Sequence, residues 1–156
     1  MIFYYSYSTK IGRITIAEQD GKIVSIDLQP VSAPAGAVEK ETPTIKRAAT
    51  QLNEYMAGRR TEFDLPLAFD GTKFQTDVWR ALLKIPFGKM RSYGGIAAAV
   101  GRPRAVRAVG NAVGKNPIPI VIPCHRVIAA GGKIGGFSSG LGMKQKLLSI
   151  EKISVL

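Results

Sequence analysis

The sequence predicts an α+β protein, with a small N-terminal antiparallel sheet carrying one helix and then a mostly helical C-terminal part that contains a helix-turn-helix. Three observations predict it. β-Branched and aromatic runs crowd the first 28 residues, capped apolar stripes at helical spacing dominate from Thr42 onward, and the charge distribution changes where the second group of helices begins. A chain of 156 residues fits one domain, or one domain preceded by a small one. The boundary is placed near Phe69–Thr72, giving a small α/β domain at 1–68 and a second domain at 69–156.

Ile2–Tyr7, Arg13–Ala17 and Ile23–Leu28 read as strands, and Asp20-Gly21 between the last two is a type I′ hairpin signal. Gln29–Glu41, rich in Pro, Ala and Gly, reads as an exposed loop. Thr42-Pro43 then opens a helix with a cap and a first-turn proline. Ile45, Ala49, Leu52, Tyr55 and Met56 form its stripe, and Gly58 ends it. Thr61–Leu67 reads as extended. Thr72-Lys-Phe-Gln75 is a capping box for a helix through about Lys84, with Phe74, Val78, Leu82 and Leu83 as the buried stripe. Ile85-Pro86-Phe87-Gly88 breaks that helix. Ser92 caps the next, Tyr93–Val100, and Pro103 starts a third over Arg104–Val113, closed by Gly114. Two short helices joined by Gly101-Arg102-Pro103 make a helix-turn-helix candidate. The third helix alternates tiny side chains, Ala105 and Ala108 among them, with arginines. Tiny residues let a helix backbone approach a groove closely, and Arg104 and Arg107, three apart, share similar helix faces.

Composition bounds the function. With 46% hydrophobic and 21% charged residues the chain is an ordinary folded protein, which excludes disorder, collagen and coiled coil. It shows no signal peptide, and no apolar run approaches the roughly 18 residues of a membrane span. A single cysteine allows no internal disulfide and points to a reducing, cytoplasmic setting. Net charge is +11, and between Asp77 and Glu151 there are twelve Lys/Arg and no carboxylate, whereas ten of the eleven acids fall in the first 77 residues. So one-sided a charge favours a polyanionic partner, most commonly nucleic acid, over a merely solvated basic face.

The one cysteine, Cys124, directly precedes the one histidine, His125, in Ile120-Val-Ile-Pro-Cys-His-Arg-Val127. A thiol attacks as its thiolate and needs a base to withdraw the proton, while an isolated cysteine is more often a buried core residue. If Cys124 and His125 are neighbours on an extended strand, their side chains point to opposite faces, so His125 acts on the thiol through a water. Glu151, the sole carboxylate after Asp77, is the natural group to orient His125.

Pro123-Cys124-His125-Arg126-Val127 resembles the active-site signature of the 6-O-alkylguanine-DNA alkyltransferases. The resemblance runs from about Thr72 to Glu151 through Phe74–Trp79, Ser92-Tyr93, Arg107-Ala-Val-Gly110, Asn116-Pro117 and Gly140-Leu141. It implies that Cys124 takes an alkyl group from the oxygen at position 6 of guanine in double-stranded DNA by direct displacement, forming a stable thioether, so that each molecule acts once. It implies a ribonuclease-H-like N-terminal domain and the same orienting role for Glu151. Tyr93 would donate its phenol proton to a ring nitrogen of the leaving guanine. Arg107 would replace the extruded nucleotide in the stack, with Arg102, Arg104, Ala105, Ala108 and Arg126 also on the DNA side. Asn116 would be a hinge between recognition helix and active-site strand. Val127, Phe137 and Ser138 would line the pocket, in a Gly135–Gly140 segment closing over the base. Phe137 departs from the family, where Tyr is frequent at that place. Base extrusion follows from geometry, because the reacting oxygen of a paired guanine is inaccessible inside a duplex.

No Cys or His precedes Cys124, so no metal is expected, nor any cofactor, and the protein is expected to act as a monomer. A non-catalytic alkylated-DNA-binding protein of the alkyltransferase-like kind is the alternative, and the presence of Cys124 argues against it. A turning-over cysteine hydrolase and a plain transcription factor are the other rivals. Nothing in the sequence supplies a second base to regenerate the thiol.

Overall fold

The computed structural model describes residues 1–28 and 33–155. It divides into two compact units, Met1–Phe69 with Pro117–Pro119, and Asp70–Asn116 with Ile120–Leu156.

The first unit is built on β1 (Ile2–Thr9), β2 (Gly12–Gln19), β3 (Lys22–Asp27) and β4 (Val38–Glu39), in the sheet order β3-β2-β1-β4. The β1–β2–β3 meander is antiparallel, and Asp20 and Gly21 take φ of 53° and 77°, as the hairpin signal requires. Part of the expected 29–41 loop, residues 29–32, lies outside the described residues. Within the remainder, Val38–Glu39 pairs in parallel with Phe3–Tyr4, which two residues could not announce by periodicity. α1 (Pro43–Met56) packs on β1, β2 and β3. Thr42 Oγ1 accepts the Ile45 N–H at 3.2 Å, and Gly58 leaves the helix at φ 75°. The expected extended segment at 61–67 forms no strand: residues 61 and 62 bend, and a single bridge joins Leu67 to Ile23. It is fixed instead by Gln51, whose side chain donates to and accepts from the Asp64 backbone at 3.1 and 2.9 Å. Pro117 joins this unit through its carbonyl, which accepts the Ile26 N–H at 3.0 Å.

The second unit contains α2 (Lys73–Leu83), β5 (Arg91–Ser92), α3 (Tyr93–Ala99), α4 (Val106–Gly114), β6 (Val127–Ile128) and α5 (Leu141–Ile150). Thr72 and Gln75 complete the capping box of α2. Two expectations are corrected within the helices. Leu83 is 41% exposed, and the core position belongs to Trp79, whose indole N–H donates to the Ala112 carbonyl at 2.9 Å. The third helix begins at Val106, not Arg104. Pro103 occupies the second place of a turn closed by the Ala105 N–H to the Arg102 carbonyl at 2.9 Å, a geometry that proline's fixed φ favours as readily as a first helical turn. Arg104 therefore precedes the helix that carries Arg107, and the shared-face argument for that pair fails. β5 and β6 form a two-residue parallel pair, Arg91 beside Val127 and Ser92 beside Ile128, which sets Tyr93 next to the Cys124 segment.

Candidate active site

The segment into the site is apolar and fully packed: Ile118, Ile120 and Ile122 have no exposed surface, and Ile120 is held at φ 74°. That conformation is a genuine outlier for a β-branched residue. Cys124–Arg126 then form a 3-10 turn, with the Arg126 N–H bonded to the Pro123 carbonyl at 3.0 Å. The expected extended strand is therefore corrected. The proline residues and the turn replace a ladder, and at three residues per turn successive side chains diverge by about 120°. Cys124 and His125 still point in different directions, for another reason.

His125 is fully buried, and its Nε2 lies 2.5 Å from Glu151 Oε2. Glu151 caps the end of α5, 4% exposed. Its Oε1 accepts from the Gly88 N–H at 2.9 Å and from Arg126 Nε at 2.8 Å. Burial works against the carboxylate, but hydrogen bonds from His125 and Arg126 outweigh it and hold Glu151 down to about 2. Burial is also the main influence on His125 and lowers its pKa; Glu151 opposes this, and Arg126 and Lys144 add to it. An imidazole that is neutral at neutral pH can accept a proton.

Cys124 is 4% exposed, and burial pushes its thiol up to about 11. A hydrogen bond with Asn116 and the charge of Lys144 pull the other way. In the resting protein the sulfur is a protected thiol, so reaction requires a base. Asn116 also donates its amide to the Ile122 carbonyl at 2.7 Å, tying the end of α4 to the segment that delivers Cys124.

Tyr93 opens α3 behind the Ser92 cap and is half-buried, its phenol reaching the Gly136 carbonyl at 3.4 Å. Burial raises its pKa, partly offset by that carbonyl, so it stays a proton donor. Gly135 sits at φ 72°, and a Cβ there would come within 3.1 Å of the Tyr93 ring and 3.2 Å of the Ala129 nitrogen, so no other residue fits without displacement. Phe137 is half-buried, Ser138 is exposed, and Val127 is fully buried.

Sequence reasoning missed Lys144. It is fully buried, with Nζ donating to the Val127 carbonyl at 2.6 Å and to the Gly136 carbonyl at 3.0 Å, and burial pulls its pKa down to about 8. A signal existed: Lys144 lies three and four residues before Leu147 and Leu148, on the apolar face of α5.

Arg126 is the clearest correction among the expected DNA contacts. It is 6% exposed, its Nη1 donates to the Ile85 carbonyl at 2.6 Å, and its guanidinium lies 5.9 Å from the Phe87 ring centroid. An arginine committed to a carboxylate and a carbonyl in the interior does not meet phosphate. Arg102, Arg104, Arg107 and Ala108 are exposed and Ala105 half-exposed, while α4 turns Val109, Ala112 and Val113 inward. A recess of about 430 Å³ lies against Gly101–Ala105 at the turn before α4.

Residues 2–69 match the family described as 6-O-methylguanine DNA methyltransferase, ribonuclease-like domain, and residues 73–153 match its DNA binding domain. The constitutive methylated-DNA–protein-cysteine methyltransferase of Bacillus subtilis is 44% identical, over 99% of this chain and 98% of the relative. The methylated-DNA–protein-cysteine methyltransferase of Mycolicibacterium paratuberculosis is 46% identical, over 97% of this chain and 93% of its own length. Among solved structures, Mycobacterium tuberculosis OGT in complex with DNA superposes with a TM-score of 0.90 at 43% identity, covering 96% of this chain and 92% of the other.

Proposed function

The chain belongs to the 6-O-methylguanine DNA methyltransferase family, and from that premise we propose that it repairs double-stranded DNA by moving the alkyl group of 6-O-alkylguanine irreversibly onto Cys124. The observation that carries the assignment of roles is the buried His125–Glu151 pair directly after the buried Cys124, in a stretch of sequence that has no carboxylate between Asp77 and Glu151 and exposes Arg102, Arg104 and Arg107.

The flipped guanine enters beneath the 135–140 segment. His125 takes the Cys124 proton through a bridging water, because the two side chains diverge. The sulfur attacks the alkyl carbon, the S–C bond forms as the C–O bond breaks, and the electron pair stays on the purine. Tyr93 gives its proton to a guanine ring nitrogen, and the imidazolium, stabilised by Glu151, returns one to the phenolate. The neutral guanine remains in the DNA and the thioether on the protein. The protein acts as a monomer in the cytoplasm.

Two readouts test this reading. With excess methylated duplex, transfer stops at one equivalent per protein, whereas continued turnover would favour a hydrolase. Arg107→Ala slows reaction with duplex DNA about tenfold or more while leaving reaction with the free methylguanine base nearly unchanged, since losing a stack-filling side chain costs about a few kcal/mol only where a base must be extruded. Equal losses on both substrates would remove Arg107 from the extrusion step.

A further inference from the structure

Glu151 is gripped on two sides. His125 Nε2 faces Oε2 at 2.5 Å, while Oε1 takes the Gly88 N–H at 2.9 Å and Arg126 Nε at 2.8 Å. Arg126 is anchored at its far end by the Ile85 carbonyl, and its guanidinium lies over Phe87, so the Ile85–Gly88 breaker is wired into the site. One buried carboxylate thus serves a permanent cation and an imidazole together. A proton added to His125 would place imidazolium and Arg126 on one buried carboxylate, with the Lys144 charge also opposing it, which is electrostatically expensive away from solvent.

We propose that Arg126 is a positioning residue for the reaction: anchored at the Ile85 carbonyl, it fixes Glu151 against His125 and shares the charge of that carboxylate, so that the imidazole stays oriented and ready to accept the Cys124 proton. This rests on reading His125 as the base. The charged groups that act on His125 are Glu151 and Lys144 from α5 and its end and Arg126 from its own turn; the 85–88 segment contributes the Gly88 N–H to Glu151. Of these, Glu151 favours the imidazolium, while Arg126 and Lys144 oppose it, in the direction the geometry requires.

Because His125 is the sole histidine, its ring C–H resonances report its titration in proton NMR without assignment. In Arg126→Met the titration moves upward, and single-turnover transfer falls about tenfold further at pH 6 than at pH 8, because more of the base is already protonated. Arg126→Lys keeps a charge but cannot bridge Ile85 and Glu151 with a planar fork, so its titration moves upward by less. An unmoved or lowered titration in either folded variant, or a loss of rate uniform across pH, overturns the proposal and leaves Arg126 a packing residue. Wild-type protein that places no alkyl group on Cys124 would instead sink the underlying reading, whatever the titrations show.

Discussion

Glu151→Ala should destabilise the protein by about 3–5 kcal/mol and slow alkyl transfer by about 10²–10⁴-fold in whatever fraction remains folded. The stability loss comes from Arg126, left as an uncompensated charge in the interior, and from the Gly88 N–H, left without its acceptor. The rate loss comes from His125, which loses the group that orients it and stabilises its cation. Thermal denaturation and single-turnover kinetics measure the two parts. The same carboxylate fixes the sign of the acid response. Its folded pKa, about 2, lies below the ordinary value of 4.5, so its contribution is present above about pH 4.5 and is lost as pH falls toward 2. Wild-type stability should fall through that window, and the fall attributable to Glu151 should be absent from Glu151→Gln. An undiminished acid response in that variant would mean that other carboxylates carry it.

Cys124→Ser should abolish alkyl transfer while leaving the fold and the affinity for methylated duplex nearly intact. The hydroxyl replaces sulfur in a site already provided with the Asn116 amide, so packing changes little. A serine hydroxyl is far less acidic than a thiol that already needs a base, and direct displacement at carbon loses its nucleophile. Gel-shift binding with label-transfer kinetics separates the two properties. Residual transfer to the serine variant would reassign the acceptor.

How much of this was legible in the sequence depended on the distance between partners. The hairpin at Asp20-Gly21, the caps at Thr42, Thr72 and Ser92, and the run into Cys124 are local signals, and the structure carries each of them. Glu151 stood out because no other carboxylate follows Asp77, and its pairing with His125 is seen in the fold. Arg126 is placed on the DNA side by the resemblance alone, and the structure turns it inward. Its actual partners lie 25 and 41 residues away, beyond any local pattern. The place of Lys144 on the apolar face of α5 was legible, but its partners were not: its ammonium is held by the carbonyls of Val127 and Gly136, and carbonyl acceptors leave no trace in composition. The turn at Arg102–Ala105 was misread because proline suits the second place of a turn and the first turn of a helix alike.

The most direct measurement is peptide mass mapping of the wild-type protein after reaction with duplex DNA containing 6-O-methylguanine. The account predicts a single added methyl group, on the peptide containing Cys124, reaching one equivalent and going no further. A methyl group found elsewhere, or methylguanine consumed in excess of protein with Cys124 unmodified, would contradict it.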